Sequence, residues 1–125
     1  MKKYMCFSLT IIFLSLIWIG CSNTVSSGED KNTSWVFVAN EGDLGASNGS
    51  ISMIDDQGNV HETDAIGDVV QSLEVYENKL IVLINNSHKI KVYDITSEGL
   101  SMPGIEVPTG DASPREMVIV DGMVY

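Results

Sequence analysis

Ten polar side chains are the best placed to do chemistry: Asn40, Glu41, Asp43, Asn48, Asp68, Asn85, Asn86, His88, Asp111 and Arg115. They fall in four segments, 40–49, 66–71, 85–88 and 110–115, each lying between apolar runs. Carboxylates, amides, one imidazole and one guanidinium suit hydrogen bonding and ion pairing to a ligand. Their spacing does not suit catalysis. The chain has no Gly-x-Ser-x-Gly elbow, no His-Glu-x-x-His helix and no phosphate-cradling glycine loop. Segment 40–49 carries Glu41 and Asp43 but lacks the alternating acids and closing bidentate Glu of a calcium loop. His88 and His61 belong to different segments, and no carboxylate/histidine set has metal-ligand spacing. Neither a metal nor a cofactor is expected.

Each of these residues also has a purely structural use. Asn40 and Asn85 end apolar runs, where Asn commonly caps backbone groups or takes a left-handed conformation. His88, beside Lys89, reads as a solvated loop residue. Arg115 follows Pro114 and opens a strand-like run, so it either clamps a ligand or pairs with Asp111 or Asp68. The Asn-x-Ser/Thr triplets at 32, 48 and 85 are taken as chance.

The elements that position these side chains are short β-type runs. They cover 35–40, 50–55, 60–65, 72–77, 79–85, 89–95, 105–108 and 115–120, with a last one opening at Met123. Tight Gly/Asn/Asp clusters separate them at 55–58, 77–78, 97–99 and 121–122. No window beyond residue 34 holds a sustained helical period, so the fold class is all-β. Long polar loops alternate with minimal turns. That asymmetry puts the ten candidates on one face of a rigid scaffold.

The runs repeat. Laying 35–40 on 80–85 puts Asn40 on Asn85, and 50–55 then matches 89–94; laying 73–78 on 117–122 begins a third copy. The offset is 45 for the first match and 44 for the last. Four short strands in a period of ~40–50 residues are the signature of a propeller blade. The copies resemble the YVTN repeat of YncE-like β-propellers through Val36-Phe37-Val38-Ala39-Asn40, 80–85, 51–55, Ile90-Lys91-Val92-Tyr93-Asp94 and the Pro-led segment 113–120. The resemblance covers about 35–125. The copies differ in one place, Val70-Gln71 standing where the next has Pro114-Arg115, and the loop after Asn40 is the longer one. The resemblance implies four-stranded antiparallel blades, about two of them in this chain. The last run stops inside a strand, so a truncated propeller is expected, with a complete small β-sandwich as the alternative.

The first residues set the compartment. Lys2 and Lys3 precede an almost uncharged run from 4 to 20, followed by polar residues from Cys21, which is the layout of a secretory signal. Ile19-Gly20-Cys21 resembles a lipobox, although Trp18 stands where that motif prefers Leu. The expectation is a signal peptide and signal helix over 1–20, lipid on Cys21, a flexible tether over 21–34, and a partial propeller over 35–125. An uncleaved membrane anchor or ordinary cleavage is the alternative. Cys6 lies inside the apolar run, which leaves Cys21 as the one mature thiol and suits acylation better than a disulfide. Glu29-Asp30 reads either as a surface-export signal or as solvated linker.

The chain carries −10, and without Lys2 and Lys3 it has 5 basic against 17 acidic residues, a net of −12. Phosphate binding rests on clustered Lys and Arg, so nucleic acid is excluded as a partner. These observations lead to a lipid-anchored cell-envelope binding protein in the outer membrane, periplasmic or surface-exposed. Fold analogy adds a possible role, capture of cobalamin or another nutrient for an outer-membrane transporter. A propeller enzyme of lactonase or quinoprotein-dehydrogenase type and an envelope scaffold are the alternatives.

Overall fold

The computed structural model describes residues 34–125, and the expected signal and lipid site, with all of the expected tether but Ser34, lie outside them. The described chain is all-β and its sheets are antiparallel. Among these residues no helix is long and apolar enough to cross a membrane. The first sheet has three strands in the order β1 (Val36–Asn40), β2 (Ser50–Ile54) and β3 (Val60–Glu62). The second runs β4 (Val70–Tyr76), β5 (Lys79–Ile84), β6 (Lys89–Thr96) and β8 (Ile105–Pro108), with β7 (Gly99–Leu100) folding back on the end of β6. A two-stranded hairpin of β9 (Ile119–Val120) and β10 (Met123–Val124) follows.

Side-chain alternation explains how the sheets stack. In β5, Leu80, Val82 and Ile84 point to one face, and with Tyr93 of β6 and Val70 of β4 they form the core together with Ile51 of β2, Ile66 and Leu100. Phe37, Ala39 and Met53 of the first sheet pack against that cluster. Burying each such aliphatic side chain contributes roughly 1.5–3 kcal/mol. β5 is buried along nearly its whole length, Lys79 excepted, because it is central in its sheet and covered on both faces. Trp35 ties the sheets at one end: its Nε1–H donates to the Thr96 carbonyl at 2.9 Å, and its ring meets His61 edge-on with centroids 5.9 Å apart.

The strand registers show that the two sheets are built alike with a period of 44. Val36 pairs with Ile54 as Leu80 pairs with Tyr93, and Ser52 pairs with Glu62 as Lys91 pairs with Glu106. Tyr76 pairs with Lys79 as Val120 pairs with Met123, and Glu77 and Asp121 both take positive φ in the intervening turns, 53° and 51°. The 45-residue offset expected for the first copy is therefore corrected by one. Val36, and not Trp35, is the counterpart of Leu80, and Glu41, not Asn40, is the counterpart of Asn85. A one-residue slip moves every side chain to the opposite face, which identity of residue type alone does not reveal.

Three strand boundaries also differ from expectation. The run over 60–65 is strand only at Val60–Glu62. Beyond it the ladder passes to a side chain, with the Ile51 N–H donating to Thr63 Oγ1 at 3.1 Å. The run over 115–120 is strand only at Ile119–Val120, because β10 supplies just two paired residues. β4 begins at Val70, two residues early, through a bulge between Val70 and Ser72.

Candidate functional site

The four loop segments meet along one edge of the two sheets, and Asp68 joins three of them, 40–49, 66–71 and 85–88. Asp68 is buried, and both its carboxylate oxygens accept the Gly45 N–H at 3.0 Å. Its Oδ2 also accepts from Asn86 Nδ2 at 2.5 Å, and its own N–H donates to Ser87 Oγ at 2.8 Å. A buried carboxylate without donors would cost several kcal/mol, so this set of donors is what permits the burial. The loop after β1 and the loop after β5 are thus tied through one side chain.

Backbone bonds extend the join. Gly49 and Gly67 form a bridge, the Val70 N–H donates to the Glu41 carbonyl at 3.2 Å, and the Asn85 N–H donates to the Val69 carbonyl at 2.9 Å. The last of these holds Val69 at φ 61°, a left-handed conformation that a β-branched residue rarely adopts. Such strain persists only where surrounding bonds over-determine it, and here they come from both neighbouring loops.

Asp43 and Asn48 close the first loop on itself. The Asp43 N–H donates to Asn48 Oδ1 at 2.8 Å, and Asn48 Nδ2 donates to Asp43 Oδ2 at 3.3 Å. On the far side, Asn85 Nδ2 donates to the Pro114 carbonyl at 3.0 Å. His88 Nδ1 donates to the Ala112 carbonyl at 2.9 Å, a geometry that puts the ring proton on Nδ1, and the Thr109 N–H donates to the His88 carbonyl at 2.8 Å. His88 therefore fastens the 109–114 segment and is not a freely solvated loop residue.

Asn40 is used elsewhere. Its Nδ2 donates to Ser50 Oγ and Ser52 Oγ, each at 2.9 Å, and to Glu62 Oε1 at 3.3 Å, while Ser50 Oγ donates to the same Glu62 oxygen at 2.5 Å. This is a polar cluster on a sheet face, and it takes Asn40 off the loop edge.

Six of the ten candidates, Asp43, Asn48, Asp68, Asn85, Asn86 and His88, thus build the loop edge by bonding within it. Glu41, Asp111 and Arg115 are exposed, and among the described residues their side chains make no ion pair or hydrogen bond within the chain. The suggested pairing of Arg115 with Asp68 or Asp111 is therefore not made, and Asp68 is already occupied by Gly45 and Asn86. Sequence reasoning missed Gly45, Ser87 and Thr109, which complete the edge. Their only advance signal was that small and hydroxylated residues flank the acids and amides.

A separate shallow cavity of about 210 Å³ opens at the turn edge, lined by Lys79, Val92, Asp94, Ser101, Met102 and Ile105. Lys79 Nζ and Asp94 Oδ1 are ion-paired in its wall at 2.5 Å. None of the ten candidates touches it. Among the described residues no group of three or more His, Cys, Asp or Glu side chains converges as a metal site. No family model matches the chain, and no curated protein matches it significantly.

Proposed function

We propose that this chain is a lipid-anchored binding protein of the bacterial cell envelope, built as a β-propeller similar to the YncE-like family, that presents its braced loop edge to a ligand. The observation that carries the reading is the 44-residue register common to both sheets, with the connections 41–49, 63–69, 85–88 and 109–118 hydrogen-bonded to one another at one edge. A rigid scaffold that commits six polar side chains to bracing loops, and leaves Glu41, Asp111 and Arg115 to solvent, suits recognition without chemistry.

Lipid on Cys21 tethers the domain through 21–34 to the outer membrane, on its periplasmic or outer surface. The ligand is a small molecule, a glycan or a protein, and capture of a nutrient or cofactor for an outer-membrane transporter is the version tested first. The test measures equilibrium binding of cobalamin and of a glycan panel to the full chain in detergent. Saturable binding that Glu41→Ala or Arg115→Ala weakens, and that Glu77→Ala at the turn edge leaves unchanged, supports the reading. Binding indifferent to both loop variants removes the loop edge from it.

A further inference from the structure

The chain has one Asn-Gly pair, Asn48-Gly49, and the loop edge is built on both of its residues. A Cβ at position 49 would lie 2.7 Å from the Glu41 carbonyl oxygen and 2.7 Å from Val70 Cγ2, so only glycine fits this buried station. The Gly49 N–H donates to the Gly67 carbonyl at 2.9 Å, and the Gly49 carbonyl accepts the Ile66 N–H at 2.8 Å, which closes an antiparallel bridge. Asn48 is held from both ends. Its Oδ1 accepts the Asp43 N–H at 2.8 Å, and its Nδ2 donates to Asp43 Oδ2 at 3.3 Å.

Asn-Gly is also the dipeptide most prone to deamidation, because glycine has no Cβ to shield its nitrogen. The glycine nitrogen gives its proton to solvent base and attacks the Asn Cγ; a Cγ–N bond forms, the Cγ–Nδ2 bond breaks, and ammonia leaves. Water then opens the succinimide at either of its carbonyls, leaving aspartate or isoaspartate. The sum is water in and ammonia out, with no oxidant and no cofactor. In this fold both reacting groups are occupied. The Gly49 proton is committed to the Gly67 carbonyl, and the Asn48 amide is committed to Asp43.

We propose that Asn48 is a deamidation site gated by the loop edge: the pair is inert while the Gly49–Gly67 bridge is closed, reacts when the bridge opens, and then keeps the loop open. The last step follows from the products. An aspartate at position 48 lacks the Nδ2 donor that Asp43 Oδ2 now accepts, and sets a second negative charge beside that carboxylate. An isoaspartate adds a main-chain carbon, which shifts Gly49 out of register with Gly67. Ammonia is lost to solvent, so the change runs one way. The gate is set by the bracing around it, since the Gly45 N–H of the same loop is held by Asp68 and the Val70 N–H by the Glu41 carbonyl. The inference rests on bonds within the loop edge and not on the ligand or the lipid proposed above.

The test incubates the full chain in detergent in mildly alkaline buffer, follows conversion of Asn48 by peptide mass spectrometry, and follows hydrogen exchange of the Gly49 amide in parallel. The same chain unfolded in urea supplies the unrestrained rate. Conversion in the folded chain should be slower by roughly tenfold or more, and by the same factor as the protection of the Gly49 amide. Sub-denaturing urea lowers that protection in steps, and conversion should rise in proportion. Asp68→Ala should move both quantities together. Asn48→Asp, which imitates one product, should speed Gly49 exchange severalfold at neutral pH. Conversion as fast in the folded chain as in urea, conversion that stays constant while Gly49 protection falls, or unchanged Gly49 exchange in Asn48→Asp overturns the proposal.

Discussion

Glu62 and Glu106 hold the same station in successive sheets, Glu62 on β3 directly opposite Ser52 of β2 and Glu106 on β8 directly opposite Lys91 of β6. Their partners differ in chemistry. Glu62 accepts from Ser50 and Asn40, whereas Glu106 accepts from Lys89 Nζ at 3.0 Å, with Lys91 Nζ at 3.8 Å. The fold thus keeps a carboxylate at this point and changes what holds it.

That difference predicts how stability depends on pH. The hydrogen bond from Lys89 holds the Glu106 carboxyl below its ordinary value of 4.5, against a weaker opposing effect of burial and with help from the charges of Lys89 and Lys91. A lowered folded value means that the contribution is complete above about pH 4.5 and is lost as pH falls through that lowered value. The pair is well exposed, so the effect is small, below about 1 kcal/mol. Urea titrations of the full chain in detergent at pH 7 and pH 3.5 should show the gap between wild type and Glu106→Gln narrowing at the lower pH. A gap that widens there contradicts the assignment.

Asp68 should matter more, because it is buried and joins two loops. Asp68→Ala leaves the Gly45 N–H and the Asn86 amide without their acceptor, at a cost of roughly 1–3 kcal/mol. Hydrogen exchange reads the loss locally: the Gly45 amide, protected in the wild type, should exchange freely in the variant while the β5 amides keep their protection. Unchanged exchange at Gly45 would show that the loop is held by something else.

Tyr93 gives a prediction of opposite sign. Its ring is fully buried against Gly104, and its hydroxyl is buried with no hydrogen-bond partner in the chain. Burial, and secondarily the charge of Glu106, push the phenol up to about 12. Removing an unsatisfied hydroxyl removes its desolvation penalty. Tyr93→Phe should therefore leave stability unchanged or raise it by up to about 1 kcal/mol. A clear loss in urea unfolding would mean that the hydroxyl has a partner, such as a bound water.

Much of this scaffold was legible in the sequence, for identifiable reasons. The unbroken apolar run 80–84, the alternation in 89–95, and Glu77-Asn78 between two strand-like runs mark hairpins that local physics alone dictates. Other features depend on partners far away in the chain. The repeat offset looked like 45 because Asn40 and Asn85 are alike, yet the pairing of Ala39 with Ile51 and of Leu83 with Ile90 sets it at 44. Similarly, Asp68 reads from the sequence as a loop-face candidate or a partner of Arg115, because nothing local announces that Gly45 and Asn86 will enclose it. His88 read as solvated, since its carbonyl partner lies 24 residues further on.

The anchor is tested apart from the fold. Cys21→Ala should abolish palmitate labelling of the full chain and leave an uncleaved or soluble product. Labelled lipid that still migrates with the variant would remove lipidation from the proposal. Under the proposal, more than one acyl chain on Cys21 gives stable membrane retention, where a single acyl chain gives only marginal binding.

The most direct test of the central claim, recognition at the braced loop edge, is a hydrogen-exchange footprint of the full chain in lipid vesicles with and without saturating cobalamin. Glu41, Asp111 and Arg115 place the contact, so protection should appear in 41–48, 66–69, 85–88 and 109–115 and be absent from the turns at 55–59, 77–78, 97–98 and 121–122. Protection confined to the turn edge, or no saturable change at either edge, would contradict the claim.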